Sequence, residues 1–262
     1  MNKTTKTTFI AVANQKGGVG KTTSAVNIAV GMARLGKKVL CIDFDPQCHL
    51  GKYIGHSHDD LPTITDFVYA KATFEEPPCT ENVIRKSKHG IDYIPSSLRL
   101  SKVERILPQA FCCEQVLRDI LATLIPEGYD YVFIDCNPSM GLLMTNALAA
   151  ADYVLIPVQT EEFAIDGLED MLQLVQMIKR NINPRLDILG LLPTLMTHTK
   201  DTRDVLELLH REFPSLTLSS GIGRYADGPR STKNKRPVVD TKCKLADQYM
   251  AATRELLTRL EG

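Results

Sequence analysis

The sequence lacks tryptophan, a Cys-x-x-Cys pair, a long apolar run and an excess of either charge. Its 31 basic residues balance 31 acidic residues in a chain of 262. A net charge of zero argues against a chain that attracts nucleic acid over its whole surface, so any such binding has to come from a local basic patch. No stretch approaches the roughly 20 apolar residues that a membrane span requires.

The cysteines and the amino terminus argue against two further classes of protein. The seven cysteines have no metal-ligand spacing, which disfavours a zinc or iron–sulfur site and favours small apolar residues in a reduced protein. Residues 1–8 are polar, and the apolar run Phe9–Ala13 is too short for a signal peptide. We therefore expect a soluble, cytoplasmic protein.

What the sequence does have is an alternation of short apolar runs and amphipathic segments. Phe9–Ala13 and Val39–Ile42 predict buried parallel strands, and Thr22–Leu35 between them predicts a helix. The same pattern continues at Tyr93–Pro95, Tyr131–Ile134, Gly141–Ala151, Tyr153–Ile156, Ile165–Asn181, Leu186–Leu192 and Lys244–Leu260. Pro157 is expected to close the strand that begins at Tyr153. The prediction is an α/β fold: one domain over residues 1–262, with a doubly wound, mostly parallel sheet and helices on both faces.

A glycine-rich loop with the sequence QKGGVGKTT joins the first predicted strand to the first helix. Its glycines let successive N–H groups point into one concavity, and the helix N-terminus also favours a phosphate there. In such a P-loop, Lys21 reaches the β- and γ-phosphates and the Thr22 hydroxyl ligates Mg²⁺. The predicted site for ATP and Mg²⁺ consists of Lys16, Gly17, Gly18, Val19, Gly20, Lys21, Thr22 and Thr23.

The loop departs from the ordinary G-x-x-x-x-G-K-[ST] pattern at its beginning. Gln15 stands where the first glycine is expected, and Lys16 follows it. One site needs one phosphate lysine, so the second either adds local positive field or serves another subunit's nucleotide. The K-G-G-x-G-K-T form resembles the deviant Walker A loop of the ParA/MinD family of dimerising ATPases. The resemblance implies that Lys16 is catalytic, crossing the dimer interface to the partner's phosphates.

Carboxylates follow two of the predicted strands, where a doubly wound sheet binds its ligand. Asp135 follows Tyr131–Ile134, which is the pattern of an acid that holds Mg²⁺ directly or through water. The segment Asp43–Gln47 follows the second strand and is similar to the D-x-D-P-Q switch of ParA-type ATPases. That resemblance implies that Asp45 positions the attacking water and that Asp43 belongs to the magnesium side of the site.

The resemblance to small Soj-like ParA partition ATPases extends over most of the chain. Tyr129–Ser139 is similar to the family segment D-[YF]-[VI]-[IL]-I-D-[CT]-P-P-S, with Asn137 in place of a proline. The resemblance implies an ATP-dependent homodimer that binds double-stranded DNA without sequence preference. It also implies that a ParB-like centromere-binding protein stimulates hydrolysis, and that the cycle segregates or positions chromosomal or plasmid DNA on the nucleoid.

The strongest candidate for DNA contact is the stretch Arg224–Lys244, because a row of basic side chains on one face displaces counterions from DNA. An ordinary solvated loop is the alternative. Asp227 occupies the place of an arginine in the family segment I-P-R-N-V-R-L-S-E-A-P, and by resemblance Arg224 is expected near the nucleotide. The predicted DNA-binding residues are Lys200, Arg203, Arg230, Lys233, Lys235 and Arg236.

Two other functions are compatible with these motifs. A MinD-like or other cargo-positioning ATPase acts at a membrane or on a protein cluster, but the tail Leu256–Gly262 lacks the lysine-rich face of a membrane-binding helix. We therefore predict no stable membrane association. An ATP-dependent metabolic enzyme on the same fold, such as a carboxylate ligase, needs a second substrate pocket, which the sequence does not display.

Overall fold

The computed structural model describes residues 6–57, 59–161 and 164–262. The strands in these ranges are β1 Thr8–Val12, β2 Val39–Phe44, β3 Arg85–Lys86, β4 Asp92–Ile94, β5 Tyr131–Cys136, β6 Tyr153–Gln159 and β7 Asp187–Thr194. The α-helices are α1 Lys21–Arg34, α2 His49–Ile54, α3 Ile64–Thr73, α4 Leu100–Ile106, α5 Val116–Leu124, α6 Leu142–Ala150, α7 Ala164–Asn181, α8 Lys200–Glu212, α9 Asp227–Lys233 and α10 Lys244–Glu261. Short 3₁₀ turns occupy Leu107–Gln109 and Val238–Asp240.

The strands form a seven-stranded sheet in the order β3-β4-β2-β5-β1-β6-β7 within the described ranges. The pairing of β3 with β4 is antiparallel and the others are parallel. Successive residues of β1 enter opposite cores: Ile10 packs with α1, α2 and α10, whereas Ala11 packs with the helices α3 to α7. Strands buried on both faces explain the continuous apolar runs. The predicted doubly wound α/β fold is confirmed.

The register of the central strands brings the predicted site residues to one edge. Asp43 on β2 lies opposite Asp135 on the adjacent strand β5. Val12, the last residue of β1, lies opposite Asp135 from the other side, and the glycine-rich loop follows it directly. The carboxyl ends of β2, β5 and β1 therefore place both carboxylates beside the loop, where ligands bind in open α/β sheets.

The expectation that Pro157 closes its strand was wrong, because β6 continues to Gln159. The pairing of β1 with β6 ends at Val12 opposite Leu155, and the Ala13 N–H bonds to the Leu155 carbonyl at 3.1 Å. Two residues later the backbone of Pro157 faces the same side, where its carbonyl accepts from Asn14 Nδ2 at 2.7 Å. Among the described residues no strand continues along that side, so the missing proline N–H breaks no ladder.

Strand ends and the middle of the chain also differ from the sequence-based expectation. Strands β2 and β5 extend past the predicted ends, so that Asp43 and Asp135 lie inside strands rather than after them. The helices α2 to α5 and the edge strand β3, all within residues 49–124, were missed. Their apolar residues are short clusters separated by polar turns, which give no long periodic signal. Among the described residues, no helix combines the length and apolarity needed to cross a membrane.

Candidate functional site

The loop after β1 curls around a concavity at the start of α1. Gly18 has φ 76° and Gly20 has φ 88°, both in the left-handed region that strains residues with a side chain. Helix α1 begins directly after Gly20, at Lys21. The first N–H groups of a helix have no intrahelical acceptor, so they offer hydrogen bonds to an anion held in the loop.

Two polar residues that the sequence analysis missed hold the loop in place. The Asn14 side chain accepts from the Lys16 N–H at 2.9 Å and donates to the carbonyl of Pro157 on β6. The hydroxyl of Thr194, at the end of β7, donates to the Val19 carbonyl at 2.8 Å. Asn14 and Thr194 are buried, so these bonds are shielded from water. Thr194 lies far from the loop in sequence, and no local motif could have identified it.

A cavity of about 560 Å³ opens in front of the loop. It is lined by Gly17, Gly18, Gly20, Lys21, Thr22, Thr23, Asp45, Gln47, His49, Lys52, Tyr53, Pro138 and Thr232. Most of the predicted nucleotide-binding residues therefore face one space. Val19 is buried beneath the loop instead, where its carbonyl meets Thr194. The wall opposite the loop comes from α2 and α9, neither of which was predicted.

Lys21 is held inside this concavity. Its side chain is buried, and Nζ donates to the carbonyl of Lys16 at 3.0 Å, across the loop. Burial lowers the pKa of Lys21, and the Asp135 carboxylate partly offsets that effect. An ammonium group buried with few partners is costly, and a phosphate in the loop would supply the missing negative charge.

Asp135 lies fully buried behind the loop. Within the part of the chain that the structure describes, neither of its carboxylate oxygens has a hydrogen-bond partner of good geometry, although the Thr22 hydroxyl lies close enough to affect its pKa. Burial raises its pKa well above the usual value, the neighbouring Asp43 carboxylate raises it further, and the Thr22 hydroxyl lowers it. A carboxylate with unsatisfied oxygens beside a hydroxyl matches the oxygen ligands that Mg²⁺ takes in proteins, so these residues fit the ion.

Asp43 is engaged differently, although it lies on the adjacent strand. One carboxylate oxygen accepts from the Asp45 N–H at 3.3 Å and the other from the Gly51 N–H at 3.1 Å. Burial raises the pKa of Asp43 to about 7, against the lowering effect of these two bonds. Asp43 lines a neighbouring cavity of about 530 Å³ and not the one in front of the loop. Its contacts hold the segment that carries Asp45.

Asp45 does line the cavity in front of the loop, and it is buried. Its Oδ1 accepts from the Gln47 N–H at 2.9 Å, a turn within the D-x-D-P-Q segment. The carboxylate is therefore fixed by its own loop on one side and open to the cavity on the other. This is the arrangement needed to orient a water molecule beside a bound phosphate.

Lys16 and Arg224 lie outside that cavity. Lys16 Nζ is 3.7 Å from Glu161 Oε2, and Arg224 Nη1 is 4.0 Å from Glu161 Oε1. The Lys16 side chain is 43% exposed. It therefore points to the rim of the site, where a second molecule can reach it. Arg224 instead lines a separate cleft of about 320 Å³, together with Arg203 and Lys244.

The comparisons with known proteins agree with this geometry. A family model described as an AAA domain matches residues 7–188. The chromosome partitioning protein ParA of Caulobacter vibrioides is 34% identical over 256 residues, which cover 95% of this chain and 94% of ParA. The chromosome-partitioning ATPase Soj of Treponema pallidum is 35% identical over 249 residues, covering 94% of this chain and 95% of Soj.

The chain belongs to the ParA-type family of P-loop ATPases.

A solved structure supports the fold independently. The cobyrinic acid a,c-diamide synthase of Mycobacterium smegmatis, crystallised with an ATP analog and magnesium, superposes with a TM-score of 0.81. The two are 32% identical, and the match covers 98% of this chain and 96% of that chain. The identity to ParA and Soj confirms the predicted resemblance to the ParA/MinD family. The superposition on the synthase confirms the P-loop architecture.

Six basic residues of this ParA-type chain line two depressions, as two groups of three. Arg230 and Arg236 line a depression of about 180 Å³ together with Lys242. Arg203 belongs to the other group, at the cleft beside Arg224. The residues predicted to bind DNA are all exposed: Lys200, Arg203, Arg230, Lys233, Lys235 and Arg236. The structure thus gives both groups access to a large ligand, and it adds Lys242 and Lys244 to them.

Proposed function

We propose that this chain is a partition ATPase that binds Mg·ATP, forms a homodimer on it, and binds double-stranded DNA without sequence preference in that state. Hydrolysis, stimulated by a ParB-like centromere-binding partner, then releases the DNA. The observation that carries the proposal is the buried Asp135, whose oxygens are unpaired among the described residues, behind a loop that holds Lys21 in its concavity. These groups are costly without a ligand, and Mg·ATP satisfies both.

The loop and the neighbouring strand ends supply residues with defined parts in the proposed reaction. The loop N–H groups and Lys21 bind the phosphates, and Thr22 and Asp135 hold the magnesium ion. The ion, when bound, neutralises charge on the phosphate oxygens. Asp45 accepts a hydrogen bond from the attacking water and aligns it with the γ-phosphate. Asp43 keeps Asp45 in place through its bonds to the switch backbone.

The proposed dimer uses the position of Lys16 at the rim. An exposed ion pair such as that of Lys16 with Glu161 contributes little, on the order of 0–1 kcal/mol. The pair can therefore be exchanged for the triphosphate of a second molecule at small cost. Each Lys16 then bridges the interface, and the two cavities close against water. The loss of the γ-phosphate removes that bridge, and the dimer loosens.

DNA binding is assigned to the exposed basic groups around α8 and α9. Their charges act together, because each phosphate contact releases condensed counterions. Formation of the dimer doubles the number of such groups on one particle, which ties DNA affinity to ATP. We place the protein in the cytoplasm on the nucleoid, as a single domain over residues 1–262 whose cargo is chromosomal or plasmid DNA.

The proposal is tested by a gel shift on unrelated duplex DNA with ATP, with ADP and without nucleotide. We expect a shift with ATP alone, at every sequence tried, and none for the Lys21→Ala variant. Phosphate release is measured in parallel, with DNA and a ParB-like protein added together, and it should rise above the basal rate. Equal DNA binding in all three nucleotide conditions would contradict the proposed cycle.

The docking of α10 argues against action at a membrane. Its apolar side chains Leu245, Tyr249, Ala252 and Leu256 are buried, and they pack in the same core as α1. A helix that binds a lipid surface must expose such a face. Co-sedimentation with anionic liposomes in the presence of ATP checks this point: we expect the protein to stay in the supernatant.

A second candidate function is favoured by the cavity that Asp43 lines. It adjoins the nucleotide cavity through Lys52, and the hydroxyl of Ser96, a buried residue on its wall, has no hydrogen bond of good geometry among the described groups, with the Cys48 thiol its polar neighbour. A second pocket is what an ATP-dependent ligase needs. That activity predicts phosphate release that requires an organic carboxylate and is indifferent to DNA. Hydrolysis that responds to DNA and the partner, with no added organic substrate, excludes it.

A further inference from the structure

A chain of buried hydrogen bonds runs from the glycine-rich loop to the basic helix α9. Asn27 Nδ2 on α1 donates to the Thr23 carbonyl at 2.8 Å and to Tyr53 Oη at 3.0 Å. Tyr53 Oη on α2 lies 2.7 Å from Ser231 Oγ on α9. The Val239 N–H closes the chain on Asn27 Oδ1 at 3.1 Å. We call Asn27, Tyr53 and Ser231 the relay.

The donors of the relay have one consistent order. Ser231 Oγ also lies 2.9 Å from the Gly228 carbonyl, which can only accept, so the Ser231 hydroxyl proton is directed there. Tyr53 must then donate to Ser231, and it accepts from Asn27. Each of the three side chains has its donors and acceptors filled. Asn27, Tyr53 and Ser231 are buried, so a displacement of one element leaves a polar group unpaired at a substantial cost.

Both ends of the relay touch a surface that matters for function. Thr23 and Tyr53 line the nucleotide cavity, and so does Thr232, the neighbour of Ser231 on α9. The same short helix exposes Arg230 and Lys233, on either side of Ser231. The Tyr53–Ser231 hydrogen bond joins α2 to α9. If nucleotide binding moves α2, this bond passes the movement to α9 and its basic side chains, in addition to the packing between the helices.

We propose that Tyr53 and Ser231 are positioning residues, which couple the nucleotide state to the placement of the basic helix α9. The inference rests on the proposed function in so far as α9 binds DNA, but the coupling itself does not require DNA. With nucleotide bound, α2 and α9 hold one arrangement through the relay. Without the relay, α9 keeps its charge and its fold but no longer responds to the nucleotide.

The experiment compares full-length wild type with Ser231→Ala, which removes the α9 hydroxyl and leaves every basic residue in place. Hydrogen–deuterium exchange of the amides in Asp227–Lys233 is measured with and without a non-hydrolysable ATP analogue and Mg²⁺. We expect the wild-type amides to exchange more slowly with the analogue. In Ser231→Ala the ratio of the exchange rates without and with the analogue should be about fivefold smaller than in wild type. This is the factor expected for the loss of one net hydrogen bond.

Three further variants make the result specific. Asn234→Ala removes an exposed polar side chain just after α9, and we expect a wild-type response. Ser231→Thr keeps the hydroxyl and should retain most of the response. In the double variant Tyr53→Phe, Ser231→Ala the loss of the α9 response should equal that of Ser231→Ala alone, because the Tyr53–Ser231 bond that reaches α9 is already absent. The Asn27–Tyr53 bond that Tyr53→Phe also removes does not contact α9. A full response in Ser231→Ala, or an equal loss in Ser231→Thr, would overturn the relay.

A DNA-binding arm separates this inference from the proposed function. The ratio of DNA affinities with ATP and with ADP should fall by about fivefold in Ser231→Ala. If wild type binds no DNA but its α9 exchange responds through Ser231, the relay stands and the proposed function fails. If wild type binds DNA with ATP and Ser231→Ala keeps the full ratio and the full exchange response, the relay fails and the proposed function stands.

Discussion

The nucleotide cavity and the basic surface around α9 use charge in opposite ways. Lys21, Asp45 and Asp135 are buried, and the oxygens of Asp135 are unpaired among the described residues. Arg230 and Lys233 are exposed to solvent. A buried charge without a partner requires an explanation, so each such residue indicates a ligand. An exposed charge requires none, and only the sum of several indicates a partner. The comparison therefore predicts that single substitutions are decisive in the cavity and graded on the surface.

The largest effect is expected for Lys21→Ala. Lys21 carries the buried ammonium group of the loop. Without it, the negative charge that develops on the phosphate oxygens in the transition state would lose its nearest positive group. Phosphate release should fall by about 100- to 1,000-fold, the usual result of removing one transition-state donor. A rate within tenfold of wild type would show that the cavity tolerates loss of its central charge.

Reversal of several surface charges should have the next largest effect. Replacement of Lys233, Lys235 and Arg236 by glutamate should weaken ATP-dependent DNA binding by about a hundredfold at roughly 0.15 M salt, if each makes one phosphate contact per dimer. The slope of log affinity against log salt should become shallower by about 2.7. Nucleotide binding, followed with a fluorescent ATP analogue, should not change.

A matched control separates position from net charge. Lys86, Lys88 and Lys102 are exposed and do not belong to either basic group. Their replacement by glutamate changes the total charge by the same amount. If both triple variants lose DNA affinity equally, the affinity depends on net charge alone. The residues around α9 would then not be a specific DNA-binding surface.

Removal of the buried charge at Asp135 should stabilise the nucleotide-free protein while abolishing hydrolysis. Asn keeps the shape of the side chain but removes a charge whose burial and repulsion by Asp43 outweigh its attraction to Lys21. The free energy of unfolding, measured in denaturant without Mg²⁺ or nucleotide, should rise by about 1–3 kcal/mol. A destabilised Asp135→Asn protein would mean that the carboxylate has partners in the resting protein.

The smallest effect is expected for a single change on the surface, Lys233→Ala. If Lys233 makes one phosphate contact per dimer, DNA affinity should fall by about fivefold at roughly 0.15 M salt, with a salt slope shallower by about 0.9. Titrations of the same duplex at several salt concentrations measure both quantities. A complete loss of binding in this variant would show that Lys233 acts as an individual residue, as those of the cavity do.

The same contrast explains what could be predicted from the sequence. Lys21, Thr22, Asp45 and Asp135 were identified because their chemistry lies in contiguous motifs at the ends of apolar strands. Their convergence on one edge follows from a parallel sheet, which the strand–helix alternation predicts. The departure of the loop from the ordinary pattern also singled out Lys16, whose role toward a second molecule stays a prediction. These parts depend on local pattern alone.

The residues that support the site could not be predicted in this way. Thr194 reaches Val19 across 175 positions, and Ser231 reaches Tyr53 across 178. Such pairs depend on the packing of α2, α9 and β7, and an isolated serine or threonine carries no signal of its partner. The hydrogen bonds of Asp43 to the switch backbone likewise could not be read from its motif, and its place on the magnesium side of the site stays a prediction.

The central claim is that Lys16 serves the nucleotide of a second molecule. It is tested most directly by solution mass with saturating Mg·ATP, in an Asp45→Ala background that prevents hydrolysis. By light scattering, Asp45→Ala alone should have twice the mass of the 29.1 kDa chain. The double variant Lys16→Ala, Asp45→Ala should bind ATP and remain at the mass of one chain. A double variant that dimerises as completely as Asp45→Ala would contradict the account.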